Sequence, residues 1–262
     1  MIRSIVLLLA PFALYGHDLY LLPSTFFAHA GGVIQVSMHN GDAFPESEGA
    51  PVFERVRDAQ LGGRGGKADI QKMRVEGKEG RGEVMVPGQG SLVLSLRTIP
   101  NFLSMKPDEF LAYLKEEGLD HVIAYRRDHG EVDKPSREMY AKFAKSLITA
   151  GAPDDFAAQP AGLTIEIVPE VNPASVHAGG MLPVKVLFEG KPAAGLQLES
   201  AWAGGGANKV EVIGRTDAEG RVKVPVAKNG IYRLHSLKMQ RRADTKDADW
   251  DSFWASLTFE IR

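Results

Sequence analysis

Histidine side chains are the main candidates for chemistry in this sequence. The 262 residues include seven histidines and no cysteine, so imidazole and carboxylate groups are the available ligands for a transition metal. His17 and Asp18 follow an apolar segment in the stretch GHDLYLLPSTF. At a mature N-terminus, the α-amine of a histidine, with a pKa of about 8, and its imidazole can bind one metal ion together. The role of His17 therefore depends on the segment before it.

Residues 1–16 have the pattern of a secretory signal peptide. Arg3 supplies a positive charge near the start, an apolar stretch runs from Ile5 to Leu14, and Gly16 is the small residue before the expected cut. The apolar stretch is shorter than the about 20 residues that a membrane-spanning helix needs. We therefore expect cleavage after Gly16 and an exported chain, periplasmic or secreted, without stable membrane insertion.

His39 is a second candidate ligand. In the stretch VIQVSMHNGD, the apolar residues Ile34, Val36 and Met38 alternate along a predicted strand. Because successive strand residues point to opposite faces, His39 is expected on the face away from the core, close to Asp42. An outward histidine beside a carboxylate is either a metal ligand or a solvated side chain.

The predicted metal site combines residues from separate parts of the chain. His235 lies in the predicted strand IYRLHSLKM, whose two faces are both mixed, so alternation does not place it. Nitrogen-rich sites prefer Cu²⁺, Ni²⁺ and Zn²⁺ over Ca²⁺ or Mg²⁺. We predict a divalent transition-metal site formed by His17, His39, His235, Asp18 and Asp42. The alternative interpretation is that His17 only marks where the signal peptide ends.

Composition and motifs exclude several classes of function. The net charge of −2, with both signs interspersed, gives no electrostatic surface for nucleic acid. The sequence contains no HExxH, GxSxG, phosphate-loop or GxGxxG motif in a suitable context, so we predict a non-enzymatic protein. A copper oxidase that binds its metal through the N-terminal histidine is a minor alternative. Trp250 and Trp254 precede the last predicted strand, where buried anchors are commoner than sugar-stacking rings.

Alternating apolar residues predict a mainly β fold of two immunoglobulin-like sandwiches. The first sandwich is expected at residues 17–158 and the second at 159–262. A helical segment is expected at 107–150, because PDEFLAYLKEEG and SREMYAKFAKSLITAG both show helical spacing of apolar residues. Without disulfides, the stability of both domains must come from their cores.

A weak internal repeat supports the presence of two similar sandwiches. The stretches PSTFFAHAGGVIQVSM and PASVHAGGMLPVKVLF share a proline, the sequence HAGG and an alternating strand. His29 and His177 occupy equivalent positions in the two stretches. We interpret both as turn residues and not as metal ligands.

Five stretches together resemble a family of secreted bacterial proteins of largely unknown function: GHDLYLLPSTF, HNGDAFPESE, REMYAKFAKSLITAG, RTDAEGRVKVP and DADWDSFWASLTFEI. Some members are described as periplasmic components of nickel or cobalt uptake. The resemblance spans nearly all of the chain after residue 16 and implies an exported, two-part β-protein. The His-Asp start matches the family pattern, although Leu19 and Tyr20 stand where many relatives have an aromatic pair.

Two hypotheses about function follow. The favoured one is a metal-binding accessory protein that captures Ni²⁺ or Co²⁺ and hands it to an inner-membrane metal permease, with Cu²⁺ and Zn²⁺ left open. The alternative is a β-sandwich module that binds a protein or a glycan and uses no metal.

Overall fold

The structure is a computed structural model that describes residues 17–203 and 210–262. The predicted signal peptide lies outside the described residues. Two α-helices are present in the described residues, α1 (Pro107–Glu116) and α2 (Asp120–Asp128). The strands are β1 (Leu19–Pro23), β2 (Phe27–Ala28), β3 (Val33–Asn40), β4 (Val56–Gly63), β5 (Gly66–Asp69), β6 (Gln71–Glu76), β7 (Glu79–Met85), β8 (Gly90–Thr98), β9 (Asn101–Met105), β10 (Ser136–Ala150), β11 (Ile165–Pro169), β12 (Gly180–Phe188), β13 (Lys191–Pro192), β14 (Gln197–Trp202), β15 (Val210–Arg215), β16 (Arg221–Val226), β17 (Gly230–Arg241) and β18 (Trp250–Ile261).

A long central sheet runs through the whole molecule. Its strand order is β15-β14-β17-β18-β10-β8-β4-β5, and β2 and β9 also pair with β10. One outer sheet has the order β1-β3-β7-β6. The other has the order β11-β12-β13, with β16 paired to β12. The mainly β fold class with sandwich-like sheets is therefore confirmed.

Strand β10 separates the two apolar cores. Its residues Ala144 and Ile148 pack with the first outer sheet, whereas Phe143 and Leu147 pack with the second. This division follows from the alternation of side chains along a strand. Strand β10 also pairs in parallel with β18 over nine residue pairs. The central sheet is thus shared by both sandwiches.

The predicted helix at 136–150 is wrong, whereas α1 and α2 confirm the helical segment up to residue 128. Strand β10 is buried along almost its whole length, on both faces. A strand buried on both faces loses the alternating pattern by which strands are recognised, and its alanines, lysines and methionine are good helix formers. Burial between two cores decides the conformation here, against local propensity.

The two HAGG stretches form equivalent turns. The amide of Gly32 donates to the carbonyl of His29, and the amide of Gly180 donates to the carbonyl of His177. In each turn the preceding glycine has a positive φ angle, which a residue with a side chain rarely adopts. Both histidines are turn residues, as the sequence predicts.

The helices cover the face of the central sheet opposite the second outer sheet. Phe110 of α1 and Val122 of α2 pack with Trp250 and Trp254 in one apolar cluster. Both tryptophans are buried in this cluster. Among the described residues, no helix has the length and apolarity needed to span a membrane. The predicted domain boundary between residues 158 and 159 lies between β10 and β11 and stays a prediction.

Candidate metal site

Three side chains that can bind a metal converge at the start of the described chain. His17 Nδ1 lies 3.0 Å from Asp42 Oδ2 and 2.9 Å from Glu48 Oε2. One ligand atom from each of the three residues lies within 4.8 Å of the others. The His17 side chain is 17% exposed, and the two carboxylates are more exposed. We call this group the His17 cluster.

The loop after β3 brings both carboxylates to His17. Gly49 forms a bridge with Asn40, and the amides of Glu48 and Gly49 both donate to the carbonyl of Asn40. The loop therefore closes on itself and carries Glu48 back toward the strand end. Asp42 also accepts a hydrogen bond from the amide of Asp18 at 3.2 Å. Backbone hydrogen bonds within the loop position Glu48, and the amide of Asp18, just before β1, positions Asp42.

Lys142 forms a hydrogen bond to the backbone of His17. Its ammonium group donates to the carbonyl oxygen of His17 and, at 2.7 Å, to Asn40 Oδ1. Lys142 lies in the central sheet and is buried. Burial lowers the pKa of Lys142 to about 8, against the opposing effect of Asp18. Lys142 therefore connects the backbone of residue 17 to the central sheet and to Asn40, at the end of β3 in the first outer sheet.

The carboxylates change the proton affinity of His17. The hydrogen bond to Asp42 raises the pKa of His17 above its ordinary value, and the charge of Glu48 acts in the same direction. Partial burial acts in the opposite direction. A metal cation at Nδ1 must displace the proton that the two carboxylates favour there, and the same carboxylates also attract the cation.

His235 and Asp18 form a different, buried group. His235 Nδ1 lies 2.6 Å from Asp18 Oδ1, an ion-pair contact without good hydrogen-bond alignment, and Nε2 lies 3.0 Å from Glu117 Oε2. Arg233 Nη1 lies 3.0 Å from Asp18 Oδ2. The side chains of Asp18, Arg233 and His235 are at most 6% exposed. We call these four residues the buried ion network.

In the buried ion network, the charge of each group is favoured by the opposite charges of its neighbours. Burial opposes the charge on His235, but Asp18 and Glu117 outweigh it and raise the pKa of His235 well above its usual range. Burial likewise opposes the charge on Asp18, and His235 and Arg233 outweigh it and lower that pKa to about 2. Both nitrogens of His235 thus face carboxylates, an arrangement that favours the imidazolium form. An imidazolium has no lone pair for a metal, so the network as it stands is a structural ion cluster.

His39 is buried, and the expectation that it faces solvent is wrong. It does lie opposite Ile34, Val36 and Met38, but the neighbouring strand β1 places Tyr20 directly beside it. The two rings stack with centroids 5.1 Å apart. Among the described residues, neither ring nitrogen of His39 has a hydrogen-bond partner, and burial lowers the pKa of His39. His39 is not part of the His17 cluster.

An acidic cavity adjoins both groups. Its volume is about 300 Å³, and its lining includes Asp18, Asp42, Glu116, Glu117, Glu199 and His235. Burial, followed by the charges of neighbouring carboxylates, raises the pKa of Glu116. Tyr113 and Trp254 stack 5.6 Å apart and form an aromatic part of the wall. Asp42 belongs to the cavity wall and to the His17 cluster, so the cavity opens beside the cluster.

The structure divides the predicted site into separate locations. It brings together His17 and Asp42, and it places Asp18 and His235 in the buried ion network. Two participating carboxylates, Glu48 and Glu117, are absent from the sequence prediction. Glu48 has a sequence signal, because the acidic stretch PESE follows Asp42 within one short loop. Glu117 has none, since it reaches His235 only through the packing of α1 on the central sheet.

The fold and the site define a β-sandwich module with a candidate metal site at its N-terminal edge. The chain belongs to the family described as a domain of unknown function, DUF4198, whose model matches residues 14–239. The comparison with curated proteins gives no match.

Two solved structures show weak similarity to the chain. The D0-D1 domain of intimin is 14% identical, over 92% of this chain and 97% of that one, with a TM-score of 0.22. The adhesin InvE of Yersinia pseudotuberculosis is 13% identical, over 92% of this chain and 58% of that one, also with a TM-score of 0.22. At these TM-scores neither similarity supports a conclusion about fold or function.

Proposed function

We propose that the processed protein is a periplasmic or secreted accessory protein that binds a divalent transition metal through His17, Asp42 and Glu48. The observation that carries the proposal is the convergence of their donor atoms within 4.8 Å. Donors around one tetrahedral ion at 2.0–2.2 Å lie roughly 3–4 Å apart. The distances between the donor atoms of the cluster are therefore close to those in a metal coordination shell.

The predicted cleavage after Gly16 would complete the donor set. It would turn the amide nitrogen of His17 into a free α-amine, with a pKa of about 8. Nδ1 is the ring nitrogen nearer the main chain, and it is also the nitrogen that faces Asp42 and Glu48. The amine and Nδ1 can then close a six-membered ring on one ion. Two nitrogens and two carboxylate oxygens form a donor set that suits Ni²⁺, Co²⁺, Zn²⁺ or Cu²⁺.

The surroundings suit an exchangeable ion. The exposed carboxylates of Asp42 and Glu48 leave the cluster accessible, and the acidic cavity beside it attracts cations. Exchange is the property that a carrier needs, because it must release its metal to a partner. Family resemblance favours nickel or cobalt as the metal and an inner-membrane permease as the partner.

Calorimetric titration of the processed protein with Ni²⁺, Co²⁺, Cu²⁺ and Zn²⁺ tests the proposal. We expect one site per chain, and we expect Asp42→Asn and Glu48→Gln each to weaken binding about tenfold, the loss of about 1.4 kcal/mol per ligand. Glu46→Gln is the matched control, since Glu46 lies in the same loop but outside the cluster. Absence of binding, or equal affinity of all four proteins, would contradict the proposal.

A further inference from the structure

A cavity separate from the acidic one is lined by the cationic side chains of Arg55 and Lys142. Its volume is about 100 Å³, and its lining includes Arg55, Lys142, Tyr140, Asn40 and Thr98. The cavity lies where β3 of the first outer sheet meets β8 and β10 of the central sheet. Its lining contains two cationic side chains and no carboxylate.

Both cations lack a counter-charge at contact distance. Lys142 is 8% exposed, and its ammonium group donates only to neutral oxygens, those of His17 and Asn40. Arg55 donates to the Tyr140 hydroxyl at 2.8 Å and to the carbonyl of Ile99 at 3.0 Å. Within the described ranges 17–203 and 210–262, neither cation has a carboxylate oxygen within 4.0 Å, and Asp18 and Asp42 act on Lys142 only from a greater distance.

The arrangement leaves unused hydrogen-bond donors. Arg55 Nε is buried and has no hydrogen-bond partner in the part of the chain that the structure describes. The ammonium group of Lys142 has three N–H donors, and it donates to two oxygens, those of His17 and Asn40. Both cations also lie over the ring of Tyr140, with the Arg55 guanidinium 4.7 Å and the Lys142 nitrogen 5.7 Å from its centroid. The two positive groups therefore flank one ring and one cavity.

We propose that this cavity binds a small carboxylate-type anion, such as acetate or bicarbonate. A buried charge is costly unless it is paired, so the buried Lys142 beside the half-buried Arg55, both without a carboxylate in contact, favours an anion in this cavity. The volume corresponds to about three water molecules, which matches an anion of four heavy atoms. Two anionic oxygens can accept from two cations at once. This site shares Lys142 with the backbone contact to His17, but its lining includes none of the proposed metal ligands, so it is expected in metal-free protein.

Saturation-transfer NMR of acetate with metal-free protein tests the proposal directly. We expect a saturable acetate signal and a saturable rise in the melting temperature at constant ionic strength. Bicarbonate should compete with acetate, and chloride should not. The larger phosphate ion should compete weakly.

Variants then locate the site. We expect Arg55→Met to weaken acetate binding about tenfold and Lys142→Met to abolish it. Arg57→Met is the matched control, since Arg57 lies two residues from Arg55, is exposed and is outside the cavity. If Lys142→Met does not fold, as judged by circular dichroism, the acetate affinities of Arg55→Met and Arg57→Met are compared instead. No saturable acetate signal, equal binding by the wild type and Arg55→Met, or an equal effect of chloride would overturn the proposal.

Discussion

His17 and His235 each face two carboxylates at 2.6 to 3.0 Å, and their environments differ in burial and in nearby positive charge. The His235 side chain is 3% exposed, and Arg233 shares the Asp18 carboxylate with it. The His17 side chain is 17% exposed, and its partners Asp42 and Glu48 reach solvent. The same residue types therefore form a closed ion network in one place and an accessible donor group in the other.

Residue type alone therefore does not distinguish a closed ion network from an accessible group that could bind a metal. In the buried ion network each charge is needed to compensate another, so removal of one charge leaves the others unpaired. In the His17 cluster the charges are partly solvated, so water can replace a lost partner. The buried group should therefore govern stability, and the exposed group should govern binding.

The largest expected effect on stability comes from Asp18→Asn. It leaves Arg233 and His235 buried without their shared carboxylate, which should lower the free energy of unfolding by about 3–5 kcal/mol. Urea denaturation measures this change. Asp42→Asn, the counterpart in the exposed cluster, should cost less than about 1 kcal/mol. Equal losses in the two variants would remove the distinction between the groups.

Stability should also depend on pH through His235. Its pKa is raised in the folded state, so its contribution is fully present below the unfolded value of about 6.5 and is lost as the pH rises through the folded value. Just above pH 6.5, the free energy of unfolding of the wild type should fall relative to His235→Gln by up to about 1.4 kcal/mol per pH unit. Denaturation curves of both proteins between pH 6 and about 8 measure the difference. Parallel pH profiles would show that His235 is not a buried imidazolium.

The smallest expected effect comes from His39→Phe. Both ring nitrogens of His39 lack partners among the described residues, so an apolar ring of similar shape should keep the stacking on Tyr20 without the cost of burying two unpaired polar atoms. We expect stability within about 1 kcal/mol of the wild type, or slightly above it, and unchanged metal affinity. A large loss of affinity in this variant would place His39 in the metal site after all.

The mainly β fold is predictable because most strands keep an alternating or bounded apolar pattern. Strand β18 is an example, since Leu257, Phe259 and Ile261 all pack in the core that the alternation predicts. Strand β10 is the exception, because burial between two cores removes the alternation and leaves a helix-like composition. The sharing of one sheet by both sandwiches depends on β10 pairing with β18, across more than a hundred residues of sequence, which no local pattern specifies.

The candidate site is predictable only where it is local in sequence. His17 and Asp42 are recognisable from the expected cleavage site and the turn after β3. The burial of His39 depends on the register of β1 against β3. The ion pairing of His235 depends on Glu117, which follows α1 and packs against the central sheet. Both facts come from tertiary packing, which alternation within a single strand does not reveal.

The most direct test of the account compares two forms of the protein that differ only at the amine of His17. One form is processed to begin at His17, and the other is a cytoplasmic form that begins Met-His-Asp. Both keep every side chain of the cluster, but the extra residue converts the amine into an amide, which is a poor donor at neutral pH. Calorimetric titration with Ni²⁺, Co²⁺, Cu²⁺ and Zn²⁺ should show at least about tenfold weaker binding by the extended form, a loss of about 1.4 kcal/mol or more. Equal affinities would contradict the central claim and would mean that His17 only marks the end of the signal peptide.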